Sequence, residues 1–170
     1  MKLQFQLFCC LIIFLTFQYV FAESKTSVSS QGVTIVSAKL NEMDIKIEIR
    51  TREIDIGQLS DEFPRVYESE NCCTYSRYPC SVVYNIRISV NGKSIFVPRS
   101  AICDLSDLNT AEIILENDLA VLSLTGGDAS ESYFVKIEFN SHRVKRKILG
   151  SSIEPSQPIA ITNYYELVIG

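Results

Sequence analysis

The sequence predicts an all-β fold, an antiparallel β-sandwich, with an irregular β-barrel as the alternative way to close the sheets. Three observations carry that reading. Apolar and polar side chains alternate with a period of two in several stretches of the chain, as half-buried strands require. Turn-forming residues recur at short intervals between those stretches, about nine or ten strands in all. The alternation, rather than solid apolar runs, describes antiparallel sheets with one wet face.

The first 22 residues stand apart from this pattern. Met1-Lys2 is a short positive start, Leu7–Phe17 is apolar apart from Thr16, and Val20-Phe21-Ala22 precedes the polar Glu23-Ser24-Lys25. That is the layout of a secretory signal peptide over residues 1–22. The apolar core is short for a membrane span of about 20 residues. A lipoprotein signal fits poorly, since Cys9 lies inside the apolar run. Cleavage after Ala22 leaves 148 of the 170 residues, with 15 basic and 20 acidic side chains. A chain of that length suits one domain. Its moderate acidity offers no global attraction for nucleic acid or an anionic membrane, and no second apolar run reaches spanning length. The absence of any N-x-Ser/Thr sequon leans towards a bacterial source, and so towards a periplasmic or extracellular location in a bacterial envelope.

In order, residues 23–31 (ESKTSVSSQ) read as a disordered start, and residues 32–170 as a single β-rich domain. Val33–Leu40 and Met43–Arg50 form a hairpin across Asn41-Glu42, with Met43, Ile45, Ile47 and Ile49 on one face. Gly57–Pro79 has no periodicity, carries Pro64 and Pro79, and gathers tyrosines and cysteines. A structureless stretch of roughly 20 residues inside a compact domain usually has a function. Ser81–Val90 and Lys93–Val97 form the central hairpin, in which Asn91-Gly92 fits a type I′ turn. Its alternation assigns Tyr84, Ile86 and Ile88 together to the core. Pro98–Asn109 spaces Ile102, Leu105 and Leu108 three apart, which suggests a short helical turn near residues 100–109 with Ser100 as N-cap. Thr110–Leu115, Leu119–Thr125, Ser132–Phe139, the basic Arg143–Leu149 and Ile161–Ile169 complete the strands, with Gly150–Pro158 as a loop.

The cysteines remaining after cleavage are Cys72, Cys73, Cys80 and Cys103. In an oxidising compartment they suggest two disulfides. A vicinal Cys72–Cys73 bridge is strained, so one of the pair is expected to reach Cys80 and the other Cys103. No C-x-x-C is present and the sole histidine, His142, is remote in sequence, so no metal site is expected. Asp104, Asp107 and Asp128 sit in loops but lack calcium-loop spacing.

No catalytic motif or cofactor fingerprint is present, and no cofactor is expected. Recognition residues are easier to nominate. Tyr67, Tyr75 and Tyr78 offer large, low-entropy contact surfaces next to Arg77, on a loop that cysteines would hold rigid. Arg143, Lys145 and Lys147 would share one face of a strand, either as a patch for an acidic partner or as a charged edge that discourages aggregation. The reading is therefore an exported, non-enzymatic domain, inhibitor- or immunity-like, that binds a protein or cell-surface component. Two alternatives stand beside it: a small secreted hydrolase with a carboxylate pair, and a structural subunit that assembles through edge strands.

Overall fold

The computed structural model describes residues 25–54, Cys73 and residues 79–166. The chain forms two antiparallel sheets. One has six strands in the order β1-β6-β7-β8-β9-β10, the other four in the order β2-β3-β4-β5. The strands are β1 (Thr26–Ser27), β2 (Gly32–Leu40), β3 (Met43–Ile54), β4 (Cys80–Val90), β5 (Lys93–Ile95), β6 (Leu108–Glu116), β7 (Leu119–Gly126), β8 (Tyr133–Phe139), β9 (Val144–Ser151) and β10 (Pro158–Asn163). The sheets are not closed into a barrel, which leaves the sandwich as the architecture.

The core lies between the inner rows predicted by the alternation. Ile45, Ile47 and Ile49 of β3 meet Ile86, Ile88 and Val90 of β4 on the smaller sheet. Leu122 and Leu124 of β7 join Val135, Ile137 and Phe139 of β8 on the larger one, all buried. Burying each such side chain contributes roughly 1.5–3 kcal/mol against exposure. The Asn91-Gly92 turn has both residues at positive φ, 51° and 75°, as type I′ requires. The Asn91 amide also donates to the Asp44 carbonyl (2.8 Å), and its side-chain oxygen accepts from the Asp44 amide (2.7 Å), so this turn is tied to the neighbouring β2–β3 turn. Asn117-Asp118, joining β6 and β7, repeats the device with φ of 49° and 64°.

Several expectations change. The segment expected to be a disordered start instead contributes β1, paired with Ala111 and Thr110 of β6, and Val28 enters the core. Nine residues with one apolar side chain, Val28, gave too little periodicity to show this. Tyr84 is 50% exposed rather than buried. The register between β3 and β4 runs Arg50↔Asn85, then Thr51↔Val83, so Tyr84 is the extra residue of a β-bulge. One inserted residue reverses the alternation, and Val83 takes the inward position. The helical turn is only a 3₁₀ turn at Arg99–Ala101. Pro98 occupies the N-cap position there without a side-chain cap, and Ser100 lies inside the turn. Ile102, Leu105 and Leu108 are nevertheless buried, as their spacing suggested. The last strand begins earlier than the sequence implied, at Pro158.

Two glycines make room for cross-strand rings. The ring of Tyr133 lies over Gly126, where a Cβ would approach its Cζ to 2.6 Å, and Phe134 covers Gly150 in the same way. Tyr133 in turn accepts a hydrogen bond from the Ser106 amide (3.1 Å) and donates one to the Ser106 carbonyl. Gly126→Ala should therefore displace the ring, loosen residues 105–107 and destabilise the fold by about 1–3 kcal/mol. The check is urea unfolding of the variant beside the parent. A change within error would show that the ring moves freely.

Candidate functional site

Two crossings of the chain build a recess. Near its start, β4 loses β5 as a neighbour and takes residues 105–107 instead, through a bridge between Val82 and Ser106. The Val83 amide donates to the Leu105 carbonyl (2.9 Å), and the Asp107 amide donates to the Ser81 carbonyl (2.6 Å). The Asp107 carboxylate accepts from the Ser81 amide (2.9 Å). Asp107 reaches this position with φ of 47°, a conformation that aspartate tolerates better than most residues. Its carbonyl accepts from the Gly127 amide (3.1 Å), and the Asn109 side-chain amide donates to the Gly127 carbonyl (2.9 Å).

Beside this knot, at the ends of β1, β3 and β4, lies a crevice of about 460 Å³. It is lined by Ser27, Val28, Ser30, Glu53, Pro79, Ser81, Asp107, Leu108 and Asn109. The chain leaves β3 at Ile54, which pairs with Cys80 at the start of β4. A disulfide joins the fully buried Cys80 to Cys73, with Cα atoms 5.7 Å apart. The crevice walls are fixed by further bonds. The Ser81 hydroxyl donates to the Ser30 carbonyl (2.6 Å), the Ser30 hydroxyl to Glu53 (2.6 Å), and the Thr51 hydroxyl to the Ser29 carbonyl (2.7 Å). Among the described residues the lining holds two carboxylates, Glu53 and Asp107, and no basic side chain.

Of the predicted recognition residues, Tyr67, Tyr75, Arg77 and Tyr78 lie outside the described residues, as does Cys72. The disulfide expectation holds for Cys73 and Cys80 but not for Cys103, which is an exposed free thiol. The reason is local. The turn directs Ala101, Ile102 and Leu105 into the core, and Cys103 between them faces solvent.

The basic patch is also corrected. β9 lies between β8 and β10, so it is not an edge strand. A bulge in the β8–β9 register, from Glu138↔Arg146 to Phe139↔Val144, makes Lys145 the extra residue and breaks the common face. Lys147 is opposite the buried Ile137, is 4% exposed and forms an ion pair with Asp104. Arg143 is half-buried and donates to the Tyr164 carbonyl (3.4 Å). Lys145 is half-buried, and its carbonyl accepts from the Tyr164 amide (2.9 Å). Arg146, on the outer face, forms a bidentate pair with Glu138 (2.9 and 2.6 Å), and that hydrogen bonding holds its guanidinium pKa above the usual value. On the other sheet the Lys46 hydrogen bond, with Arg50 adjacent, holds the Glu48 carboxyl below the usual glutamate range.

His142 is exposed in the β8–β9 turn. Among the described residues no group of three or more His, Cys, Asp or Glu side chains could hold a metal ion, and no helix is long and apolar enough to cross a membrane.

No protein-family model, curated protein or solved structure matches the chain. Its chemistry has to be read from its own geometry.

The crevice was missed in the sequence because its parts come from four separated segments. The one available signal was the Asp107-Leu108-Asn109 run, where two turn-forming polar residues flank a core leucine.

Three outcomes follow from this geometry. Asp104→Asn leaves the Lys147 ammonium without its counter-charge and should lower stability by about 2–3 kcal/mol, whereas Lys147→Met should stay within about 1 kcal/mol of the parent. Thermal unfolding of both variants distinguishes a buried ion pair from a simple surface contact. Separately, a thiol reagent applied to the native protein should label Cys103 and spare Cys73 and Cys80 until a reductant is added. Peptide mass mapping reads the result. Loss of the Cys73–Cys80 bridge through Cys80→Ser should cost on the order of 2–3 kcal/mol, given the short loop it closes.

Proposed function

We propose that this protein is an exported, non-enzymatic binding domain whose contact surface is centred on the crevice at the ends of β1, β3 and β4. The observation that carries the reading is the Cys73–Cys80 disulfide, whose Cys80 lies between the crevice-lining Pro79 and Ser81. It anchors to the sandwich the very stretch in which the sequence places Tyr67, Tyr75, Arg77 and Tyr78. A bridge of this kind suits an oxidising compartment, in keeping with the signal-like N-terminus. It also limits the order that must be created on binding, which favours affinity.

The crevice suits a donor-bearing partner. Glu53 is exposed at the crevice and accepts from the Ser30 hydroxyl, and its carboxylate has lone pairs for a further donor. A basic or amide-bearing segment of a protein or cell-envelope component would meet acceptors there. The bonds of Asp107 argue against a hydrolase: they tie β4 to β6 and support the fold.

Immobilised mature chain, exposed to the envelope and secreted fractions of its source cells, tests the proposal. Glu53→Lys should lower the affinity of the captured species at least about tenfold, the scale of one lost charge-assisted hydrogen bond. Tyr75→Ala and Tyr78→Ala should weaken the same species. If all three variants captured the same components with unchanged affinity, the crevice end would not be the binding surface.

A further inference from the structure

At the far edge of the six-stranded sheet, β10 pairs with β9 on one side and, among the described residues, has no strand on the other. All six of its residues are exposed. Edge strands present a row of unpaired N–H and C=O groups, and proteins usually blunt them with lysines, prolines or bulges. Here Pro158 and a register shift at Ile159 guard only the beginning of the strand. From Ala160 onwards the ladder is regular: Ala160↔Leu149, Ile161↔Ile148, Thr162↔Lys147 and Asn163↔Arg146. No charged residue occurs between Pro155 and Tyr165. The edge strands of the other sheet differ in this respect, since β2 carries Lys39 and β5 carries Lys93.

The direction of the free groups follows from one bond. The Tyr164 amide donates to the Lys145 carbonyl on β9. By the alternation of an antiparallel ladder, Thr162 and Ala160 also turn their backbone groups to β9. Ile161 and Asn163 therefore direct theirs outwards.

We propose that a second copy of this chain pairs with β10 across a two-fold axis at Thr162, joining two six-stranded sheets into one. In that register Ile161 of each copy faces Asn163 of the other, and their outward N–H and C=O groups satisfy one another. Thr162 meets its symmetry mate, a favourable cross-strand pair. The charge pattern selects this partner. The stretch is neutral throughout, so two copies bring no like charges together, and Glu166 falls opposite the partner's Pro158 rather than a carboxylate. On the outer face Ile161 continues a largely apolar depression of about 370 Å³, lined also by Phe134, Ile148, Pro155 and Pro158, with Ser123 and Lys136 at its β7–β8 side. Self-pairing carries that strip across the seam. The inference is independent of the crevice reading, which concerns other strands.

The test is sedimentation of the mature chain carrying Cys103→Ser, which removes any dimer linked through the exposed thiol. At about 100 µM the weight-average mass should approach twice that of the monomer, as a micromolar association requires. Ile161→Pro removes only an outward N–H and leaves the β9 ladder intact, and Ile161→Lys puts a charge at the seam. Both should sediment as monomers while keeping the parent melting temperature. A monomeric Cys103→Ser protein at that concentration overturns the proposal. So does a dimer that survives both Ile161 substitutions with the fold intact, or a mass that climbs past the dimer with concentration.

Discussion

The reciprocal bonds between Ser81 and Asp107 hold the architecture at one end. They attach the first residues of β4, in the small sheet, to the residues that open β6 in the large one. A sandwich is otherwise held by side chains packing between its layers, which is non-directional. These backbone bonds add direction and fix the offset between the sheets. Both groups are nearly inaccessible to water, so their bonds are stronger than exposed ones and costlier to leave unmade. Cys80 precedes Ser81, Leu105 precedes the bridge, and Tyr133 closes over Ser106. One knot thus places the disulfide, the plug of the core and the wall of the crevice.

Bulges decided where the sequence was legible and where it was not. Between bulges, period-two alternation assigned faces correctly: Ile45, Ile47 and Ile49 point inwards together, as do Val135, Ile137 and Phe139. The Asn91-Gly92 turn was equally plain, because few other dipeptides accept two positive φ angles. Tyr84 and Lys145 were misplaced for one shared reason. An inserted residue leaves the composition of a strand unchanged while reversing every assignment beyond it, and only the partner strand reveals the insertion. The basic run from Arg143 to Lys147 read as one surface for that reason. In the fold its members divide among an outer ion pair, a bulge and the core.

Lys147 shows what the division costs and why it is tolerated. A lysine on an inner strand face loses most of its hydration, a penalty of several kcal/mol without a counter-ion. Asp104 supplies one from the turn that also exposes Cys103. The pair joins β9 to the segment covering that end of the core, so a contact of small net stability still fixes where the segment lies. Neither member signals this in sequence. They are separated by 43 positions, and Asp104 reads as an ordinary turn aspartate.

Charge on the outer face of the large sheet follows a related logic. Glu112 faces Lys25, Glu116 faces Lys136 (2.6 Å), and Glu138 faces Arg146. The Lys25–Glu112 and Lys136–Glu116 pairs, both partly exposed, contribute only about 0–1 kcal/mol each, so stability alone gives little reason for the series. Its stronger effect is to keep β6 to β9 wetted and their register distinct, since a slipped strand would bring like charges together. The series stops at β9. Towards β10 the same face turns largely apolar, with Phe134 of β8 over Gly150 of β9, then Ile148 of β9 and Ile161 of β10. A surface that spends paired charges on β6 to β9 and beside β1, and none on the β10 edge, leaves that edge without the usual protection of a sheet. That lack is what distinguishes β10 from β2 and β5, whose edges carry a lysine each.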